Sequence, residues 1–158
     1  MNGRGKKVEA EAEAILRAAG GFVHRNEPRM QGRILVRGGL PDFTLILRGV
    51  AHYVEVKHSQ QALLPLGCLT PPLGTAKAPA GVSYQQAATL DALEAAGARG
   101  YVYARLDSTR GSVAALVPWQ TWRGWLAAGR RSVGPVDLAA AGVRIEPPAD
   151  PSLGGCGG

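Results

Sequence analysis

Residues 41–57 read PDFTLILRGVAHYVEVK, and their pattern predicts a β-hairpin. Two runs rich in apolar and β-branched residues, 42–47 and 51–57, have the length and composition of strands. The connection between them, Arg48-Gly49-Val50, contains a glycine of the kind that tight hairpin turns favour. Such a hairpin fixes a strand register, and the register decides which side chains meet.

That register brings two carboxylates and a lysine together. With Arg48-Gly49 as a two-residue turn, counting back along both strands places Asp42 directly opposite Glu55. Because side chains alternate along a strand, Glu55 and Lys57 share one face, and Asp42 joins them there. Directly opposed residues have Cβ atoms about 5 Å apart, so we expect the three charged groups to converge on one patch.

Two facing carboxylates repel one another, and their desolvation is costly unless a cation neutralises them. Mg²⁺ suits such a pair, because it binds one or two protein carboxylates and completes its shell with water and phosphate oxygens. The ion can generate hydroxide near neutral pH and stabilise the leaving oxygen of an in-line displacement. Lys57 would orient the attacking water or stabilise negative charge on the phosphate. For these three residues alone, an ordinary exposed polar face is the alternative interpretation.

The remaining patterns predict an α/β fold in a single domain. Apolar residues at helical spacing indicate helices over residues 6–19, from the N-cap Ser83 to about Ala96, and around Trp119, Trp122 and Trp125. Strands are expected at residues 33–36, 42–47, 51–57, 101–106 and 112–117. The order helix, three strands, helix, two strands, helix indicates a mixed β-sheet flanked by helices.

Two segments lack these patterns. Four prolines and three glycines exclude long regular elements from residues 59–81. A loop of that length in a compact domain is either mobile or functional. Residues 146–158, rich in Pro and Gly, are expected to form a flexible tail, which leaves 1–145 as the folded domain.

Charge and composition limit the partners and the location. The 158 residues carry a net charge of +6, which suggests a polyanionic partner, with nucleic acid first and an anionic membrane second. Two distant cysteines, Cys68 and Cys156, make no disulfide framework and fit a reducing cytoplasm. No secretory signal or membrane span is recognisable. Dinucleotide-binding and Walker loops are missing from the sequence, so no organic cofactor is expected.

Several motifs together resemble a known nuclease superfamily. Pro41-Asp42 and Glu55-Val56-Lys57, with twelve residues between them, resemble the PD-(D/E)xK signature of restriction-enzyme-like and junction-resolving nucleases. Three further segments are similar to those of RecU-type and phage Holliday junction resolvases: Gly5-Lys6-Lys7-Val8-Glu9, Ser83-Tyr84-Gln85-Gln86 and Gly129-Arg130-Arg131-Ser132-Val133. The long stalk insertion of RecU proteins has no counterpart here.

The resemblance implies a restriction-endonuclease-like fold and a role for each matching residue. The implied metal ligands are Asp42, Glu55, the Val56 carbonyl and Glu9. Lys57 would be the catalytic lysine, and Gln86 would hold a water or a phosphate near the metal. Helical geometry alone does not distinguish Glu9 from Glu11 or Glu13 as the additional carboxylate.

Basic and aromatic residues are the candidates for contacts with nucleic acid. The predicted phosphate contacts are Arg4, Lys6, Lys7, Arg33, Arg37, His58, Arg130 and Arg131, and a solvated face is the alternative for each one. The three tryptophans around residue 122 could belong to the core, form a subunit interface, or stack on unpaired bases.

The expected function is cleavage of four-way (Holliday) DNA junctions in paired positions, with Mg²⁺ or with Mn²⁺ in its place. We expect a homodimer, because symmetric strands are best cut by two sites related by a two-fold axis. One alternative is another nuclease of the same superfamily that acts on flapped, nicked or duplex DNA. The other is a basic DNA-binding module without activity. The expected location is the cytoplasm of a bacterial or phage-infected cell.

Overall fold

The computed structural model describes residues 3–26, 30–31, 34–35 and 39–145. The helices in these ranges are α1 (Gly3–Ala18), α2 (Tyr84–Ala95), α3 (Trp119–Ala127) and α4 (Pro135–Ala141). The strands are β1 (Phe22–Arg25), β2 (Met30–Gln31), β3 (Ile34–Leu35), β4 (Phe43–Leu47), β5 (Val50–Ser59), β6 (Leu64–Pro65), β7 (Arg99–Ser108), β8 (Gly111–Pro118) and β9 (Ser132–Val133).

Five strands form one mixed sheet in the order β1-β4-β5-β7-β8. β5 and β7 run parallel, and the other neighbouring strands run antiparallel. Leu47 pairs with Val50, and Phe43 pairs with Val54, which confirms the predicted hairpin register. Arg48 and Gly49 form the turn with positive φ angles of 49° and 79°, as a tight turn of this type requires.

The two faces of the sheet bury separate apolar clusters. α1 packs Val8, Ala12 and Leu16 against the face that carries Val54 and Val56. The opposite face is covered by α2, α3 and α4, whose buried side chains surround the β7 side chains of residues 102, 104 and 106. Glu55 lies on this second face, because it pairs with residue 102 and alternates with its two valine neighbours. The predicted mixed sheet with helices on both sides is therefore confirmed.

The prediction for the first strands was incomplete. The strand expected at residues 33–36 is confirmed at residues 34–35, the part of it that the structure describes, where β3 pairs with β2 in a separate two-stranded ladder. The main sheet instead begins with β1, which the sequence patterns did not indicate. Among the four residues of β1 only Val23 is buried, so the strand lacks the alternation that identifies a half-buried strand. The short elements β6, β9 and α4 were also missed.

Both ends of the segment 59–81 are fixed to the fold. β6 lies within this segment and pairs with β9, and Leu64 and Leu66 are buried. Gly67 forms a bridge with Val82. Gly67 and Gly81 have φ angles of 102° and 110°, and a Cβ at either position would overlap the facing backbone. Residues 60–63 and 68–81 contain no helix or strand.

The tryptophan stripe belongs to the core. Trp119 and Trp122 are fully buried, and Trp125 packs against them at the edge of the same cluster. The indole N–H of Trp119 donates to Asp91 at 2.8 Å, and that of Trp122 donates to the Leu66 carbonyl at 3.0 Å. Base stacking by the two buried rings is therefore excluded.

Several predicted features lie outside the described residues: Arg33, Arg37, Cys156 and the tail 146–158. Within the described ranges, none of the helices has both the length and the apolar character needed to cross a membrane.

Candidate active site

Asp42 lies at the corner directly before β4, where its carboxylate faces β5. The β4–β5 ladder ends at Phe43, and Asp42 Oδ2 accepts a hydrogen bond from the Val56 backbone N–H at 2.8 Å. The Asp42 side chain thus adds one hydrogen bond between these strands beyond the end of their backbone ladder. This bond directs the carboxylate toward the patch that the hairpin register predicts.

Asn26, the residue that follows β1, stabilises the same corner through three hydrogen bonds. Its backbone N–H donates to the Asp42 carbonyl at 2.8 Å. Its side-chain amide donates to the Pro41 carbonyl and to Thr44 Oγ1, both at 2.8 Å. The sequence patterns gave no indication of Asn26, because this residue follows β1, a strand that they also did not indicate.

Glu55 is a buried carboxyl with polar neighbours on several sides. It is 5% exposed, its Oε1 accepts from Gln86 Nε2 at 2.8 Å, and Lys57 Nζ lies 3.4 Å from the same oxygen. Burial, together with the nearby Asp42 carboxylate, raises the pKa of Glu55 to about 8, against the opposing effect of Lys57. In the metal-free protein at neutral pH, Glu55 is therefore mostly protonated.

Gln86 lies in the first turn of α2, where a capping box fixes its side chain. Ser83 Oγ accepts from the Gln86 backbone N–H at 3.1 Å, and Gln86 Oε1 accepts from the Ser83 backbone N–H at 3.0 Å. This capping box leaves the Gln86 Nε2 group to donate to Glu55. The spacing of Ser83 and Gln86 is the sequence signal of a capping box, although only Ser83 entered the prediction of where this helix begins.

The carboxylates of α1 are engaged in ion pairs. Glu9 pairs with Arg25 of β1, Glu11 with Arg105 at 3.0 Å, and Glu13 with Arg17 at 2.9 Å. Arg25 also lies over the Phe43 ring, 6.0 Å from its centroid, and the sequence patterns gave no indication of it. Across the described ranges, no group of three or more His, Cys, Asp and Glu side chains is arranged to hold a metal ion. The assignment of Glu9 as a ligand stays a prediction.

The donor set at Asp42 and Glu55 nevertheless suits a divalent cation. Two carboxylates converge, one is buried, and its raised pKa shows that a positive charge is needed to stabilise the ionised form. A hard ion with oxygen ligands meets this requirement. The fold thus brings four polar side chains together in the candidate site: Asp42, Glu55, Lys57 and Gln86.

The predicted DNA contacts are spread over two regions. Lys6 and Lys7 are exposed on the first turns of α1. Arg4 and His58 line a cleft beside Lys57. Arg130 and Arg131 follow α3 instead. Arg130 pairs with Asp137 at 2.9 Å and lies 5.7 Å from the centroid of the Trp125 ring, while Arg131 is exposed.

No protein-family model matches the chain, and no curated protein matches it. Solved structures do match, and they identify the fold as the restriction-endonuclease-like fold of the PD-(D/E)xK nucleases. One of them is Hjc, a Holliday junction resolvase from the archaeal hyperthermophile Archaeoglobus fulgidus. The match covers 87% of this chain and 94% of Hjc, with a TM-score of 0.52 and 18% sequence identity. The likeness establishes the fold, which is the one that the motifs around residues 41–57 led us to expect.

Proposed function

We propose that the protein is a metal-dependent endonuclease that cuts four-way DNA junctions in paired positions. One observation carries the catalytic part of this proposal. The buried carboxyl of Glu55, whose pKa is raised to about 8, lies beside the carboxylate of Asp42 and 3.4 Å from the ammonium of Lys57. A buried acid with so perturbed a pKa, next to a second acid and a lysine, is typical of a functional site.

Each residue of the site has a distinct task in the proposed reaction. Asp42 and Glu55 would hold Mg²⁺, or Mn²⁺ in its place, with the Val56 carbonyl as a further ligand. The bound ion supplies positive charge that activates water and stabilises the leaving oxygen of a phosphodiester. Lys57 neutralises negative charge that develops on the phosphate.

Gln86 keeps the Glu55 carboxylate directed into the site through the hydrogen bond at 2.8 Å. Groups that orient a ligand in this way strongly influence metal affinity. The resemblance gives Gln86 a contact with a water or a phosphate, and that contact remains part of the proposal. Glu9 remains the proposed additional carboxylate, with Arg25 as its partner.

The choice of substrate rests on charge and on the fold. The net charge of +6 favours a polyanionic substrate. The helix α1, which carries several basic residues, packs against one face of the sheet. Hjc is a Holliday junction resolvase of the same fold, which supports branched DNA as the substrate. A junction offers two symmetric strands, so we propose a homodimer whose two sites cut them. Such a substrate is met in the cytoplasm of a bacterial or phage-infected cell.

The test is cleavage of a labelled four-way junction beside a linear duplex of matched sequence, in Mg²⁺ and in EDTA. Wild type, Asp42→Asn and Glu13→Gln are compared. Glu13→Gln removes a half-buried carboxylate whose partner is Arg17, so it controls for the loss of one negative charge. We expect paired nicks in the junction from wild type and Glu13→Gln, and none with EDTA or Asp42→Asn.

Other outcomes point to the alternatives. Equal cutting of junction and duplex would indicate a nuclease that acts on flapped, nicked or ordinary duplex DNA. Binding without any cutting, unchanged in Asp42→Asn, would reject the catalytic proposal and leave a basic DNA-binding module.

A further inference from the structure

A polar cleft of about 460 Å³ opens at the end of β5, next to the candidate active site. Lys57 forms part of its lining and thus belongs both to the cleft and to the candidate active site. The other polar side chains of the lining are Arg4, His58, Ser59, Gln60 and Gln61. A polymer that crosses the active site on the Lys57 side would therefore run directly into this cleft.

The walls of the cleft are fixed by the fold. Ser59 Oγ accepts from the Gln61 backbone N–H at 3.1 Å and donates to the Leu63 carbonyl at 3.3 Å. The next residue, Leu64, is 1% exposed and holds this turn against the core. On the other side, Gly81 packs so closely on the backbone of residues 65–67 that a Cβ would lie 2.5 Å from its neighbours. The cleft is therefore formed before any ligand arrives.

Arg4 lines this cleft, and its side chain contacts residues on two other segments. Its Nε lies 3.8 Å from Asp107 Oδ2, and its guanidinium contacts the side-chain amide of Gln60. The guanidinium is a planar group with five N–H donors, and it binds phosphate oxygens in pairs. With Lys57 on the same lining, two cations converge on the cleft.

We propose that this cleft binds the nucleotide next to the one that is cut, with Arg4 on its phosphate. The inference rests on the proposed function, because it takes the polymer to be DNA. Consecutive phosphates of one DNA strand are spaced about 3.4 Å along the helix axis. The wall residue Ser59 follows Lys57 by two positions at the end of β5, roughly 7 Å along the strand, and Lys57 itself lines the cleft. The cleft thus adjoins the lysine directly, as the binding of a neighbouring nucleotide requires.

The experiment measures binding of a labelled four-way junction in EDTA, which separates binding from cleavage, between 50 and 200 mM salt. We compare wild type, Arg4→Ala and Arg17→Ala. Arg17 lies at the opposite end of α1, about 20 Å from Arg4 along the helix, so its loss is a matched change of charge. Arg4→Ala is expected to raise Kd about tenfold and to lower the slope of log K against log salt by about 0.9. Arg17→Ala should leave both values close to those of wild type.

Gln61→Glu gives a second, independent test, because Arg4→Ala also removes contacts to Asp107 and Gln60. The Gln61 side chain is exposed on the wall, and a carboxylate there would repel the phosphate without removing a fold contact that involves this side chain. We expect weaker binding in the same direction as for Arg4→Ala. The inference is overturned if both variants bind like wild type, or if Arg17→Ala weakens binding as much as Arg4→Ala.

The two proposals can fail separately. If wild type cuts the junction and neither cleft variant changes binding, the function stands and the cleft assignment fails. If wild type binds without cutting and Arg4→Ala still lowers the salt slope, the cleft binds DNA and the catalytic proposal fails.

Discussion

Strand β5 buries one titratable side chain near its start and another near its middle, and their surroundings differ. His52 is 3% exposed and Glu55 is 5% exposed. Burial lowers the pKa of His52 and raises that of Glu55 to about 8. In both cases desolvation favours the neutral form. The difference between the two positions therefore lies in their neighbours.

The imidazole of His52 is packed as a neutral aromatic ring. It stacks on Tyr101, with ring centroids 5.8 Å apart, and Arg99 adds a positive charge that lowers its pKa further. Its Nδ1 atom has no hydrogen-bond partner among the residues that the structure describes. This position contributes a buried ring to the sheet.

At Glu55, by contrast, three polar side chains converge: the Asp42 carboxylate, the Lys57 ammonium and the Gln86 amide. A buried ionisable group is thus insufficient to indicate a site. What distinguishes Glu55 is that its neighbours can stabilise a bound cation and a phosphate, whereas those of His52 stabilise only the neutral ring.

The largest expected effect is on cleavage. Asp42→Asn and Glu55→Gln should each lower the single-turnover rate in Mg²⁺ by more than about a hundredfold, since even groups that only orient metal ligands cost about 10 to 100-fold. His52→Leu, a substitution of a buried group on the same strand, should cut at nearly the wild-type rate. Comparable losses in His52→Leu would show that the two positions of β5 do not differ in function.

The second effect concerns the stability of the metal-free protein. The folded-state pKa of Glu55, about 8, lies above its ordinary value of 4.5. The stability it contributes is therefore fully present below about pH 4.5 and is lost as pH rises through 8. Glu55→Gln cannot ionise, so from pH 6 to pH 9 its free energy of unfolding should fall less than that of wild type, by an amount on the order of a few kcal/mol.

Thermal melts in EDTA at both pH values measure this difference. Glu13→Gln provides the control, because it makes the same change of side chain on α1, where Glu13 pairs with Arg17 and not with a residue of the site. Parallel pH profiles for wild type and Glu55→Gln would contradict a buried, protonated carboxyl at residue 55.

A smaller effect is expected from the capping box that orients Gln86. Gln86→Ala removes the donor to Glu55 and should lower cleavage about 10 to 100-fold. Ser83→Ala removes the N-cap acceptor and should cost about 1 kcal/mol of stability. The adjacent Gln85→Ala is the matched control and should keep wild-type activity. Equal losses in Gln85→Ala and Gln86→Ala would mean that the contact with Glu55 does not matter.

The central hairpin was predictable because its information is local. A glycine turn and two β-branched runs set the register, and the register places Asp42 opposite Glu55 without reference to the rest of the chain. The helix α2 was predictable for the same reason, since its N-cap and apolar stripe lie within one segment. These two elements supply Asp42, Glu55, Lys57 and Gln86.

The support for the site was not predictable, because it comes from distant segments. Asn26 and Arg25 reach Asp42 and Glu9 only through β1, an exposed edge strand with one buried residue. The walls of the cleft at Arg4 depend on the pairing of β6 with β9, which lie almost 70 residues apart. Two-residue strands carry no periodic pattern, so only the folded chain reveals such pairings.

The smallest effect should occur at the other buried group, and it has the opposite dependence on pH. The folded-state pKa of His52 lies below its ordinary value of 6.5, so the unfolded chain takes up a proton first. The contribution of His52 to stability should therefore decline as pH falls below about 6.5 and stay level above it. His52→Leu should flatten this decline while leaving the loss of stability between about pH 4.5 and 8, which Glu55 causes, unchanged. Melts at pH 5, 6 and 7.5 in EDTA measure the slope, and an unchanged acid-side slope in His52→Leu would show that this ring does not resist protonation.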